Sequence, residues 1–183
     1  MKNVLQGTLL LSALLLGTQV QANEQNSVAK TNWSLGIGSY AFSLVNDDNS
    51  NADLDFSGLN ISAGYAVNNH FQIRGTYFHL ENTDFSKVKS KGFDLMAYGG
   101  TGFSRKGIRG YGGAGFFSDK WSAQGESDSF SGIQLGAGLG YNWGPVAVDL
   151  VISLRQANKY EDFMFQSGTY VAASGNLTLS YLF

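Results

Sequence analysis

The chain has 183 residues and no cysteine, so it carries neither a disulfide framework nor an amino-terminal Cys for a lipid anchor. Only 14% of the residues are charged, against roughly 25% for an ordinary soluble domain, while 24 Gly and 25 aromatics (13 Phe, 9 Tyr, 3 Trp) stand beside a single Pro. A formal net charge of −2 of mixed sign excludes a nucleic-acid surface.

Met1 to Ala22 carries Lys2, an apolar run from Leu9 to Leu16 and the small-residue ending Val20-Gln21-Ala22. The pattern predicts a cleaved secretory signal, residues 1–22, with a mature chain from Asn23. Its apolar run is too short for a membrane helix, which needs about 20 residues. Removing Lys2 leaves 11 basic and 14 acidic residues, a mature net charge of −3.

From Asn32 onward the chain divides into alternating segments of strand length. Trp33 to Val45 places Leu35 and Ile37 opposite Ser34, Gly36 and Gly38, then changes parity at Tyr40, Phe42 and Leu44, which predicts a bulge near Ser39. Asp55 to Val67 sets Leu59, Ile61, Ala63, Tyr65 and Val67 against Asn60, Ser62 and Gly64, and Asn68-Asn69 reads as a tight turn. Phe71 to Leu80 sends Phe71, Ile73 and Tyr77 one way and Gln72, Arg74 and Thr76 the other. Gly92 to Phe103 alternates Phe93, Leu95 and Ala97 with Asp94, Met96 and Tyr98. Ile108 to Phe117 is too rich in glycine for its parity to be read.

Phe130 to Trp143 is the clearest segment, with Ile133, Leu135, Ala137, Leu139, Tyr141 and Trp143 facing Gln134, Gly136, Gly138, Gly140 and Asn142. Its glycines are expected to leave room for larger groups opposite. Val146 to Arg155 follows the turn Gly144-Pro145, with Val146, Val148, Leu150, Ile152 and Leu154 opposing Ala147, Asp149, Ser153 and Arg155. The last segment, Thr169 to Phe183, puts Val171, Ala173, Leu177, Leu179, Tyr181 and Phe183 on one face and Ser174, Asn176, Thr178 and Ser180 on the other.

Short connections (Asn68 to Asn69, Ser104 to Gly107, Gly144 to Pro145) alternate with longer polar ones (Asn46 to Leu54, Glu81 to Lys91, Ser118 to Ser129, Gln156 to Gly168). One apolar and one polar face per segment means two different solvents. The expectation is all-β: an eight-stranded antiparallel transmembrane β-barrel, one domain from 23 to 183, with short turns and both termini in the periplasm. A peptidoglycan-binding domain after Phe183 is not expected. Aromatics near the periplasmic rim (Tyr65, Phe71, Tyr141, Trp143, Tyr181, Phe183) would form a girdle.

Parity sends four charges inward: Arg74, Asp94, Asp149 and Arg155. Arg74 and Asp149, on the third and seventh segments, would face each other across so narrow a lumen. The first reading is an ion-paired plug, because unpaired buried charge is costly; the second is a proton or ion path. Glycine runs at 110–115 and 136–140 are themselves strands with period two and do not make a phosphate-cradling loop, which needs a helix after it. His79, with Glu81 and Ser86 nearby, offers the residue types of a lipid-facing acyl-transfer site, without a matching motif. Asn46 to Asp53 spaces oxygen ligands like a calcium loop but has Ala52 at the turn and Gly58 at the twelfth position, so neither a metal nor another cofactor is expected. Lys87, Lys89 and Lys91 alternate with Val88 and Ser90, placing three ammonium groups on one side, suited to lipopolysaccharide phosphates or an acidic host polymer.

The closing Leu177-Thr178-Leu179-Ser180-Tyr181-Leu182-Phe183, with its aromatic terminus, resembles the last strand of bacterial outer-membrane barrels, although Thr178 stands where that strand usually has Gly. With the signal, the segment count and the turn-loop alternation, the whole mature chain resembles the small eight-stranded families: the OmpA transmembrane domain and the OmpX and Ail group. The resemblance implies a monomer in the outer membrane, recognition of the last strand by the barrel assembly machinery, and contact with outer-membrane lipid and lipopolysaccharide. It also implies a non-enzymatic role in adhesion or host contact carried by the extracellular loops. A lipid-A-modifying enzyme and a narrow channel are the alternatives.

Overall fold

The computed structural model describes residues 32–46, 53–83, 87–123, 126–161 and 169–183; the predicted signal and positions 47–52 of the calcium-like loop lie outside them. The strands are β1 (Trp33–Asn46), β2 (Leu54–Ala66), β3 (Phe71–Asn82), β4 (Lys89–Thr101), β5 (Gly107–Ala123), β6 (Glu126–Asn142), β7 (Val146–Arg155) and β8 (Tyr170–Leu182), with a short helix α1 (Asn158–Glu161) before β8. Each strand pairs with the next, and β8 returns to β1 to close the barrel. All pairings are antiparallel, and the closing seam runs from Ser34↔Leu182 to Asn46↔Tyr170. Beyond its end, Trp33 and Phe183 exchange two backbone hydrogen bonds of 2.9 Å.

This closure follows from the surroundings of the wall. Leu59 is 74% exposed and Leu139 68%, and Ile37, Ile61, Ile133, Leu135 and Ile152 all face outward. So much exposed apolar surface is sustained only where the solvent is lipid. Lipid offers no hydrogen bonds, so each backbone N–H and C=O pairs within the sheet, and closing the sheet removes its edges. Among the described residues no helix is long and apolar enough to cross a membrane; the crossing is made by strands. Of the aromatics expected in the girdle, Tyr65 meets the ring of Trp33 and Tyr141 that of Trp143, each with centroids 4.8 Å apart.

Three expectations need correction. There is no bulge at Ser39: β1 is paired residue by residue with both neighbours, Ser39 opposite Leu59 and Leu177, Tyr40 opposite Gly58 and Asn176. Tyr40, Phe42 and Leu44 point inward and are almost fully buried. The strand keeps its facing; what changes is the filling of the barrel, polar near the short turns and aromatic near the long loops. The segment 118–129 is not a loop either, since β5 and β6 continue as a ladder from Ser118↔Ser131 to Ala123↔Glu126. Outward residues there (Ser118, Lys120, Ser122) meet water instead of lipid, so the period of two persists without its hydrophobic signature. Third, β4 starts at Lys89 and β3 ends at Asn82, which shortens the second long connection. The unread parity of the fifth segment resolves with Arg109, Tyr111, Phe117, Asp119 and Trp121 buried inside and Ile108 and Phe116 exposed outside.

The short turns are built as their residues suggest. Asn68 Oδ1 accepts a hydrogen bond from the His70 N–H at 2.7 Å, and Asn142 Oδ1 does the same for Gly144 N–H at 2.7 Å. Gly144, at φ +113°, occupies a conformation that L side chains rarely adopt. Inside the barrel, Gly138 lies opposite Tyr111, and a Cβ there would run into the Tyr111 ring. Gly112, on the outer face, would meet only the Gly136 carbonyl oxygen at 3.7 Å, an ordinary contact. Gly138→Ala is therefore expected to destabilise the barrel by about 1–3 kcal/mol, read as a lowered urea midpoint of the folded protein in detergent, with Gly112→Ala unchanged. Equal midpoints would contradict this packing.

Candidate functional site

Among the described residues the buried charges are Arg74, Asp94, Arg109, Asp119, Asp149 and Arg155, three of each sign. They form two layers. Asp149 and Arg155 stand on the inner face of β7 six positions apart, which separates the layers by about 20 Å along the strand.

In the layer nearer the short turns, Asp149 Oδ2 lies 3.0 Å from Arg109 Nη1 and 3.5 Å from Arg74 Nη2. Tyr111 donates its hydroxyl to Asp149 Oδ1 at 2.8 Å and accepts from Arg74 Nη1 at 3.2 Å. Arg74 also donates to Gln72 Oε1 at 2.9 Å. Tyr98 and Tyr111 lie 5.4 Å from the Arg74 guanidinium, and Phe103 lies 5.5 Å from that of Arg109. One carboxylate thus holds two guanidiniums.

The upper layer inverts this ratio. Arg155 Nη2 donates to Asp94 Oδ1 at 2.8 Å and to the Tyr40 hydroxyl at 2.7 Å, and Tyr40 donates to Asp94 Oδ2 at 2.6 Å. Arg155 Nη1 reaches Asp119 Oδ2 at 3.4 Å, which also accepts from Trp121 Nε1 and Tyr160 Oη at 3.2 Å each. Phe117, Phe42 and Phe78 surround the guanidinium at 4.8, 5.0 and 5.2 Å. Two carboxylates hold one guanidinium, so the net positive charge of the lower layer is cancelled by the upper one.

Above the upper layer the lumen is packed by Phe42, Leu44, Phe56, Leu80, Trp121 and Phe130. Tyr160 of α1 comes down from the fourth long connection into this cluster, stacking on Phe117 with centroids 5.8 Å apart and on Trp121 at 5.4 Å.

The structure brings Arg74 to Asp149 and Arg155 to Asp94, uniting all four predicted inward charges in ion pairs. Sequence reasoning missed Arg109, Asp119 and Tyr160. Arg109 shares its parity with Tyr111 and opposes Ile108, a signal that the surrounding glycines diluted. Asp119 fell in a stretch read as loop, and Tyr160 sits in a connection without periodicity.

Outside, Lys87, Lys89 and Lys91 are exposed, and the latter two lie on the outward face of β4. Lys89 donates to Glu81 Oε1 at 2.8 Å, and both side chains of this ion pair are exposed. His79 lies opposite Lys91 on one side and Leu59 on the other, while Ser86 is outside the described residues.

Asp149→Ala leaves Arg74 and Arg109 buried without their carboxylate and is expected to cost about 3–5 kcal/mol in urea unfolding. Glu81→Ala breaks only an exposed pair and is expected to leave the midpoint in place. A small loss for Asp149→Ala would contradict the paired lower layer.

The model of the outer membrane protein beta-barrel domain family matches residues 8–183. Among solved structures, Ail of Yersinia pestis, crystallised in complex with the heparin analogue sucrose octasulfate, is similar at 20% identity and a TM-score of 0.54, over 83% of this chain and 98% of that one. OprG of Pseudomonas aeruginosa is similar at 11% identity and 0.55, over 85% and 98%, and Neisserial surface protein A at 18% and 0.54, over 82% and 97%. No curated protein sequence matches the chain. Structural likeness at such identities concerns the fold, whereas the family match spans nearly the whole sequence. With its closed eight-stranded wall turned to lipid, this chain belongs to the outer membrane protein beta-barrel domain family and is a protein of the bacterial outer membrane.

Proposed function

We propose that this barrel is a non-enzymatic, monomeric surface protein that binds polyanionic partners, host or bacterial, through its extracellular loops and outer rim. The observation that carries this reading is the state of the lumen. Its six described charges are ion-paired with one another, and an aromatic cluster with Tyr160 fills the mouth above them. At the outer end, above the filled lumen, Lys87, Lys89 and Lys91 are exposed and within reach of a partner. The heparin analogue bound by the similar Ail structure supports a sulfated or phosphorylated polymer as the partner class. An acyl-transfer role is less well supported, because the Glu81 carboxylate is hydrogen-bonded to Lys89. Removal of residues 1–22 on export and recognition of β8 by the barrel assembly machinery belong to the same proposal.

Cells displaying the Lys87→Ser/Lys89→Ser/Lys91→Ser variant are expected to bind fluorescent heparin roughly tenfold more weakly than wild type, at about 0.5 kcal/mol for each exposed cation. Attachment should also weaken as salt rises. Unchanged binding by equally displayed variant protein would count against the patch.

A further inference from the structure

The outer face of β3, β4 and β5 stacks distinct chemistries in successive cross-strand rows. His79 is opposite Lys91, and Lys91 is opposite Lys120, giving one row of three basic side chains, all exposed. Side chains directly opposite on antiparallel strands have Cβ atoms roughly 4.5–5.5 Å apart, and like charges so placed repel. The nearest carboxylate on this face, Glu81, belongs to the row above and is bonded to Lys89. Among the described residues no hydrogen bond or ion pair engages Lys91 or Lys120. Asp119 adjoins this row but turns its side chain into the lumen, toward Arg155.

Between Lys91 and Lys120 the wall holds a shallow pocket of about 280 Å³, lined among others by Tyr77, Phe93, Ser118 and Ser129. Tyr77 and Phe93 form the next row toward the membrane and are each 52% exposed. The row below holds Leu95 opposite Phe116, both exposed, and beneath it the wall is smooth: Ala97 lies opposite Ala114 and Gly99 opposite Gly112, and a Cβ added at Gly99 would meet nothing within 4 Å. In one line the face therefore offers ammonium groups and hydroxyls at the water boundary, aromatic rings at the interface, and a flat trough inside the lipid zone.

We infer that His79, Lys91 and Lys120 form a binding site for the phosphate group of an outer-leaflet lipid, whose acyl chains lie along the Ala97–Gly99 trough. Lysine ammonium groups bind phosphate as point charges, and the aromatic row supplies the amphipathic contact expected at a membrane interface. A soluble phosphate or a host polymer accounts for the cations but leaves the rings and the trough without a role. The site goes beyond the loop-borne reading: Lys120 and His79 lie outside the lysine set proposed for polyanions, and the row faces sideways into the headgroup layer.

The test uses the folded protein in neutral detergent, with binding of bis-phosphorylated lipid A followed by native mass spectrometry. Lys91→Ser/Lys120→Ser is expected to weaken binding at least about tenfold. Lys91→Arg/Lys120→Arg should restore it, and Lys106→Ser, at a short periplasmic turn, should not change it. Enzymatically dephosphorylated lipid A should bind the wild type as weakly as the intact lipid binds the double Ser variant. Full lipid A binding by that variant, or inorganic phosphate binding as tightly as the lipid, would overturn the assignment. Lys120→Ser separates the two proposals, because it should lose lipid affinity while heparin binding to cells persists.

Discussion

A peptide group in hydrocarbon has no water to turn to, and this single constraint organises the molecule. It requires the strands to close on themselves, as β8 does on β1 along an unbroken ladder whose end is tied by Trp33 and Phe183. Closure with eight strands leaves an interior about as wide as its own side chains. The interior must then be filled, and whatever is buried there must be satisfied by neighbours from the facing strands.

The filling answers that demand in two ways along one axis. Near the short turns polar fillers (Gln72, Arg74, Thr76, Arg109 and Asp149, held by Tyr111) stand beside a smaller apolar cluster with Met96, Tyr98 and Phe103. Near the long loops the fillers are aromatic around a single guanidinium, Arg155, which touches residues from β1, β4, β5 and α1. Because each layer carries one unit of net charge and the two signs oppose, the two layers together are neutral among the described residues. Removing one member disturbs its layer at once, since each central group serves several partners. The glycines of β6 belong to the same scheme, giving the Tyr111 ring the space in which to reach Asp149.

Much of this was legible wherever both solvents differ sharply. Val146–Arg155 was read with its observed ends, because lipid on one side and a polar lumen on the other leave a clean alternation. The facing of Arg74, Asp94, Asp149 and Arg155 came from the same signal. Legibility failed where one side changed character. In β1, Tyr40, Phe42 and Leu44 are apolar yet inward, so an aromatic filling looked like a change of facing. In β5 and β6 above the membrane, outward serines and Lys120 face water, so a ladder looked like a loop. Glycine on both faces hid Arg109, and Tyr160 enters the lumen from a connection whose sequence has no period to read. Lys120 was hidden for the same reason as Asp119, and with it the basic row that only the register of three strands assembles.

Paired charges and an aromatic cluster filling the described lumen leave the loops above the membrane and the wall at its upper boundary as the proposed working surface. That inference stands or falls on whether the lumen is closed in the membrane as it is in the structure. Single-channel recording of the purified protein in planar lipid bilayers measures this directly. The account predicts an unbroken baseline after insertion has been verified by protease protection. Reproducible conductance steps from the wild-type protein would contradict it, since they would require the ion-pair layers and the Tyr160 cluster to leave a continuous aqueous path.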